Sequence, residues 1–181
     1  MSSLLKKLLS EKIEKSVVPI SGQLSLDFTH TKHTFRKLRK GLLGAPANIL
    51  FMTSTQDYKD LMDITVFADQ SIDSDSEITM YDLAAAVIRV AKERDSTFEA
   101  EDTEVVMSKG GDTVLGVLVT GTESMDKGVT VVLQLHIPTM LKYKNDSSIA
   151  LTARFPKDSP ASLKEDYLLL LRSTDIHTDQ K

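Results

Sequence analysis

Between residues 103 and 137 the chain reads as two consecutive β-hairpins, and no other stretch carries a comparable strand signal. Gly110-Gly111 lies between two runs rich in β-branched and apolar residues, where a two-residue turn needs positive φ at both central positions and glycine supplies it. A type I′ turn there sets Met107 opposite Val114, Val106 opposite Leu115 and Glu104 opposite Val117. Residues 113–120 then carry large apolar groups on both sides, which marks an interior strand or one layered on both faces. After a polar turn at 123–128, Val129, Val131, Leu133, Leu135 and Ile137 point one way and Thr130, Gln134 and His136 the other, with Val132 out of pattern. This alternation predicts one buried and one wet face, with His136 solvated. Pro138 ends the strand because it has no N–H to give to a ladder.

A sheet of this kind needs a helix to cover it, and residues 79–94 supply the clearest one. Thr79 and Asp82 resemble a capping box, and Tyr81, Leu83, Ala84, Val87, Ile88, Val90 and Ala91 cover so much of the circumference that the helix should lie across the sheet. Lys92 and Arg94 suit its C-terminal dipole. A second amphipathic helix is expected after Pro160, with Leu163, Tyr167, Leu170 and Leu171 as its stripe. Its start is either Ser159 as N-cap with Pro160 in the first turn, or Ser162 with Glu165. A third is expected at the N-terminus over residues 2–16, where Leu5, Leu8, Leu9 and Ile13 form one apolar stripe.

Further strands are expected at 23–28 (an edge strand with Leu24, Leu26 and Phe28 on one side), 48–52, 64–68 and 149–155. A short helix is expected at 31–43, burying Phe35, Leu38 and Leu42 and presenting Lys32, Arg36, Lys37, Arg39 and Lys40 as a basic side. The whole reads as one α+β domain over 1–172, a mostly antiparallel sheet of five to seven strands packed by the central helix, with a polar, fraying tail at 173–181.

The 181 residues suffice to bury a core without covalent staples, and with no cysteine there is neither a disulfide framework nor a thiolate metal site. No apolar run is long enough to span a bilayer, and the N-terminus lacks the pattern of a secretory signal, so the expected location is the cytoplasm. Net charge is −4, unevenly spread. Residues 1–53 hold nine Lys or Arg against three Asp or Glu, residues 54–104 hold four against fourteen, and the remainder balance. That asymmetry fits a basic and an acidic surface on one domain, or two faces that neutralise each other within a dimer.

Catalytic signatures are absent from the sequence: there is no phosphate-cradling glycine loop, nucleophile elbow or zinc-protease helix. Asp27, His30 and His33 make a weak metal pattern, and ordinary exposed histidines are the better reading. The acidic stretch 69–77 alternates like a calcium loop but places Ser74 where glycine is needed and Met80 where a bidentate glutamate is needed. No cofactor is expected. The expectation is a non-catalytic adaptor or chaperone-like domain that engages another protein chain, or a second copy of itself, through Leu5, Leu8, Leu9 and Ile13 or through a sheet edge. The alternatives are a nucleic-acid-associated protein using Lys32, Arg36, Lys37, Arg39 and Lys40 on phosphates, or an enzyme without a recognisable motif.

Overall fold

A computed structural model of the protein describes residues 10–21, 24–38, 50–53, 61–68, 79–125, 128–137 and 147–176. The strands are β1 (Ser10–Lys12), β2 (Val17–Ser21), β3 (Leu24–Asp27), β4 (Phe35–Leu38), β5 (Leu50–Thr53), β6 (Leu61–Ala68), β7 (Glu99–Met107), β8 (Val114–Met125), β9 (Gly128–Ile137), β10 (Ser147–Pro156) and β11 (Asp175–Ile176). The helices are α1 (Met80–Arg94) and α2 (Ala161–Arg172). Eight strands form one sheet in the order β1-β4-β5-β6-β10-β9-β8-β7, and β11-β3-β2 form a second. Every pairing is antiparallel. The class is α+β as expected, with more strands than expected and fewer helices among the described residues.

Strands stand in the described parts of two expected helices. Within 2–16, residues 10–12 are β1, residues 1–9 lie outside the described residues, and Ile13 is buried in the core with its N–H bonded to the carbonyl of Phe35. Within 31–43, Phe35–Leu38 is β4, paired with both β1 and β5, so the basic helical side does not form there. In both places an apolar spacing compatible with a helix is overridden by partners distant in sequence, as local propensity routinely is. Strand β3, expected at an edge, is the middle strand of the small sheet. The expected tail supplies β11 and a buried Thr174; residues 177–181 lie outside the described residues, as does the acidic stretch 69–77.

The α1 helix forms as read. Thr79 Oγ1 accepts the Asp82 N–H at 3.2 Å and Asp82 Oδ2 accepts the Thr79 N–H at 3.1 Å. These two bonds satisfy donors that the first turn leaves open. The Thr79 hydroxyl, which donates to Asp82 Oδ2 at 2.6 Å, and the Thr79 N–H together hold the Asp82 carboxyl below the ordinary carboxylate range. At its other end Asp95 accepts from the N–H and hydroxyl of Thr97, and Thr97 Oγ1 accepts the Ser124 N–H. This knot turns the chain back into β7. Helix α2 starts at neither expected cap: Pro160 occupies the N-cap without a side-chain bond.

The β7–β8 hairpin is tied by the Ser108 N–H to the Thr113 carbonyl at 2.7 Å and the Gly111 N–H to the Ser108 carbonyl at 2.8 Å. The loop is therefore four residues long, and of its two glycines only Gly111 takes positive φ, at 73°. Met107 does face Val114, but Leu115 is then extra, so Val106 faces Gly116, Val105 faces Val117 and Glu104 faces Leu118. Gly116 makes this bulge feasible: a Cβ there would stand 2.1 Å from the His136 carbonyl oxygen.

Both faces of the large sheet are covered. On one, Leu118, Leu133, Leu135, Leu151 and Phe155 meet α2 and the small sheet. Tyr167 lies edge-on to Phe35, with centroids 5.5 Å apart, and stacks on Phe155 at 5.4 Å. On the other, Leu83, Val87 and Ala91 of α1 pack with Phe98, Val117, Val119 and Val132. Val132, out of pattern in the alternation, is the β9 residue beneath α1. The face of β9 expected to be wet is buried, and His136 with it, because the strand is internal to the sheet and layered on both sides.

Candidate partner-binding edge

Strand β7 leaves the Asp95–Thr97 knot antiparallel to α1 and ends the described sheet: β8 is its neighbour on one side and no described strand pairs with the other. Of its nine residues only Val106 is buried. A strand's side chains alternate between faces, and directly opposed residues share a face. The register therefore sorts β7 into two sides. Thr103, Val105 and Met107, with Val114 across the hairpin, lie on the α1 face, whereas Asp102, Glu104 and Val106 lie on the α2 face. Val105, Met107 and Val114 are 45%, 41% and 41% exposed, enough to make an apolar strip beyond the cover of α1. Tyr81, 88% exposed, sits in the first turn of α1.

The acidic side is already used once. Arg172, the last residue of α2, donates from Nε and Nη2 to the two carboxylate oxygens of Glu104 at 2.7 and 2.8 Å. This bidentate pair holds the Glu104 carboxyl below its ordinary range and pushes Arg172 up. Asp102 adds its field to Arg172 as well. Glu99, Glu101 and Asp102 have no cationic hydrogen-bond partner among the described residues, and all three are exposed.

Two buried carboxylates lie elsewhere, and both hold elements together. Glu123, placed by the sequence in a polar turn, is buried in β8, where Arg94 Nη2 approaches one oxygen at 2.6 Å and Arg154 Nε the other at 3.4 Å. Arg94 Nη1 also reaches Gln134 Oε1 at 3.4 Å, so the C-terminus of α1 is locked onto β8, β9 and β10. Asp166 of α2 accepts the backbone N–H groups of Lys32 and His33 at 2.7 and 2.6 Å, and its Oδ2 lies 2.8 Å from His33 Nδ1. The Lys15 ammonium closes the same loop by donating to Thr31 and to the His33 carbonyl.

Of the residues expected to meet a partner, Leu5, Leu8 and Leu9 lie outside the described residues and Ile13 is a core side chain. Of the expected phosphate contacts, Lys32 pairs with Glu165 at 2.5 Å, which raises its pKa, and Arg36 and Lys37 are neighbours on β4 that project to opposite faces. Arg39 and Lys40 lie outside the described residues. His30 is exposed and Asp27 turns back onto the Thr29 N–H. Among the described residues no group of three or more His, Asp or Glu converges as a metal site would require, and no helix is long and apolar enough to cross a membrane. The edge itself could have been suspected from four acids in nine residues, with Val105 and Met107 spaced two apart.

No family model and no curated protein matches the chain. Solved structures that it resembles include PA94, a protein of unknown function from Pseudomonas aeruginosa. That match has 13% identity and a TM-score of 0.46 over 81% of this chain and 90% of that one. Another is LpqN, involved in cell envelope biogenesis of Mycobacterium tuberculosis, with 10% identity and a TM-score of 0.41 over 93% and 92%. Superpositions this loose have no bearing on what the chain does.

Proposed function

We propose that this chain is a non-catalytic protein-binding module, adaptor or chaperone-like, that receives an extended segment of another protein along β7. The observation that carries the reading is the exposure of a nine-residue terminal strand whose outer apolar side chains continue onto the hairpin tip. An open edge offers backbone donors and acceptors to an incoming strand, and the flanking side chains select which strand is accepted. A second copy is the less suitable occupant, because β7 against β7 would bring acids close to acids across the new ladder. The lack of cysteine suits a reducing compartment, so the cytoplasm is the location that goes with this reading.

A photo-crosslinking residue installed at Met107 of the full chain should capture a protein in the native lysate that the same residue at exposed Lys157 does not capture, and Val105→Lys should abolish that capture. Equal capture at both positions, or capture indifferent to Val105→Lys, would overturn the reading.

A further inference from the structure

The two sides of β7 differ in chemistry, and that difference specifies the strand that would fit beside it. We infer that the segment received by β7 alternates apolar and basic side chains, with lysines or arginines two residues apart. The inference rests on the edge-pairing reading above and adds the partner's chemistry to it.

Register is the starting point. The ladder to β8 is irregular twice: between Ala100 and Asp102 the extra residue, Glu101, lies in β7, and between Val106 and Met107 the extra residue, Leu115, lies in β8, so β7 itself runs without an inserted residue over 102–107. A bulge at a sheet edge ends regular pairing, and an added strand is thereby confined to about six positions. Across an antiparallel or parallel ladder, each partner side chain stands on the same face as the residue it opposes, with Cβ atoms about 5 Å apart. Partner residues beside Thr103, Val105 and Met107 would therefore extend the strip that includes Val114, and would cover apolar surface that α1 leaves exposed. Partner residues beside Asp102 and Glu104 would meet carboxylates. Hydrophobic side chains there would bury the Asp102 carboxylate without a bonded cation and strip water from the Glu104–Arg172 pair, and acidic ones would repel both carboxylates.

The fold contains its own example of the pairing. Arg172 reaches this side of β7 from α2 and binds Glu104 in bidentate geometry, which shows that a guanidinium is accommodated on the acidic side. One cation does not satisfy the strand, because Asp102, Glu101 and Glu99 have no ion pair with a described residue. Charge complementarity therefore points to a basic partner, and the two-residue spacing of Asp102 and Glu104 points to a partner that is extended rather than helical, since a helix repeats its faces every three or four residues.

The test uses the full chain and three nine-residue peptides: one alternating Val and Lys, one alternating Val and Glu, and one with the composition of the first but its lysines grouped at one end. Amide hydrogen exchange locates binding and fluorescence anisotropy at physiological ionic strength measures it. The alternating Val/Lys peptide should protect the amides of residues 102–107 and bind roughly tenfold more tightly than either control. Asp102→Lys should weaken it about fivefold or more, and Asp158→Lys, a reversal at an exposed acid on the loop before α2, should not. Equal protection by the Val/Glu peptide would overturn the basic partner while leaving edge pairing intact. Equal binding by the grouped isomer would reduce the effect to general attraction and overturn the alternation. If no peptide protects β7, both this inference and the reading beneath it fail.

Discussion

Helix α2 meets the sheet through a large apolar cluster, its buried Asp166 turned to the backbone of residues 32 and 33, whereas α1 meets the opposite face through a small apolar cluster bordered by buried polar groups. Among the described residues, twenty buried apolar residues on the α2 side form one cluster around Tyr167; on the α1 side there are seven, and Glu123, Gln134, His136 and Thr152 are buried on that same face. Apolar burial is non-directional and tolerates repacking, so the first side supplies stability wherever volume is filled. A buried carboxylate tolerates no such looseness, because its charge must be paired, and Glu123 is paired by Arg94, hydrogen-bonded at 2.6 Å, and by the Arg154 guanidinium at 3.4 Å. The smaller apolar cluster has a second consequence. It runs out before β7 does, leaving Val105 and Met107 uncovered at the sheet edge.

Substitutions on the two faces test this contrast. Tyr167→Ala should cost about 4 kcal/mol, because it empties the contact between Phe35 and Phe155 at the centre of the larger cluster. Urea titration measures it, and a loss below about 2 kcal/mol would make the two faces energetically alike. Glu123→Ala should follow at about 3 kcal/mol, since it removes the buried carboxylate on which Arg94 and Arg154 converge. Hydrogen exchange should show α1 loosening more than α2 in that variant; uniform loosening would mean that the ionic lock is not local to α1.

Val87→Ala, in the smaller cluster, should cost about 2 kcal/mol by the same urea measurement. A cost equal to that of Tyr167→Ala would erase the distinction between the layers. The smallest effect is expected at the edge. The Glu104 carboxyl is held below its ordinary value by Arg172, so the pair stabilises the fold at neutral pH and that contribution is lost as pH falls through the depressed folded-state pKa. Because the pair is partly solvent-exposed, Glu104→Gln should cost only about 0.5 kcal/mol at neutral pH. The difference from the parent chain should close in acid, below the ordinary glutamate range, and a gap that widens there would assign the wrong sign to the interaction.

Some of this was legible in the residues themselves. Thr79 and Asp82 announce the start of α1, and the stripe Leu163, Tyr167, Leu170, Leu171 announces the buried face of α2. Both depend on hydrogen bonds and side-chain spacings that close within a few residues, so neighbours in sequence suffice to fix them. The Met107–Val114 pairing and the interior character of β8 were equally readable, because a hairpin closes locally. The candidate site was half visible: an open sheet edge was expected, but not which strand would provide it.

What the neighbouring residues could not determine is which strand lies beside which. β1 and β4 carry spacings that a helix would also accept, and only their pairing with each other and with β5 makes them strands. Glu123 and His136 look like surface residues until α1 and the flanking strands bury their side of the sheet. β7 is an edge for the same reason: its four acids hint at an exposed strand, but only the assembled sheet gives β8 a further neighbour and leaves β7 without one among the described residues. A strand's partners come from anywhere along the chain, so its position in the sheet is fixed only when the whole sheet is assembled.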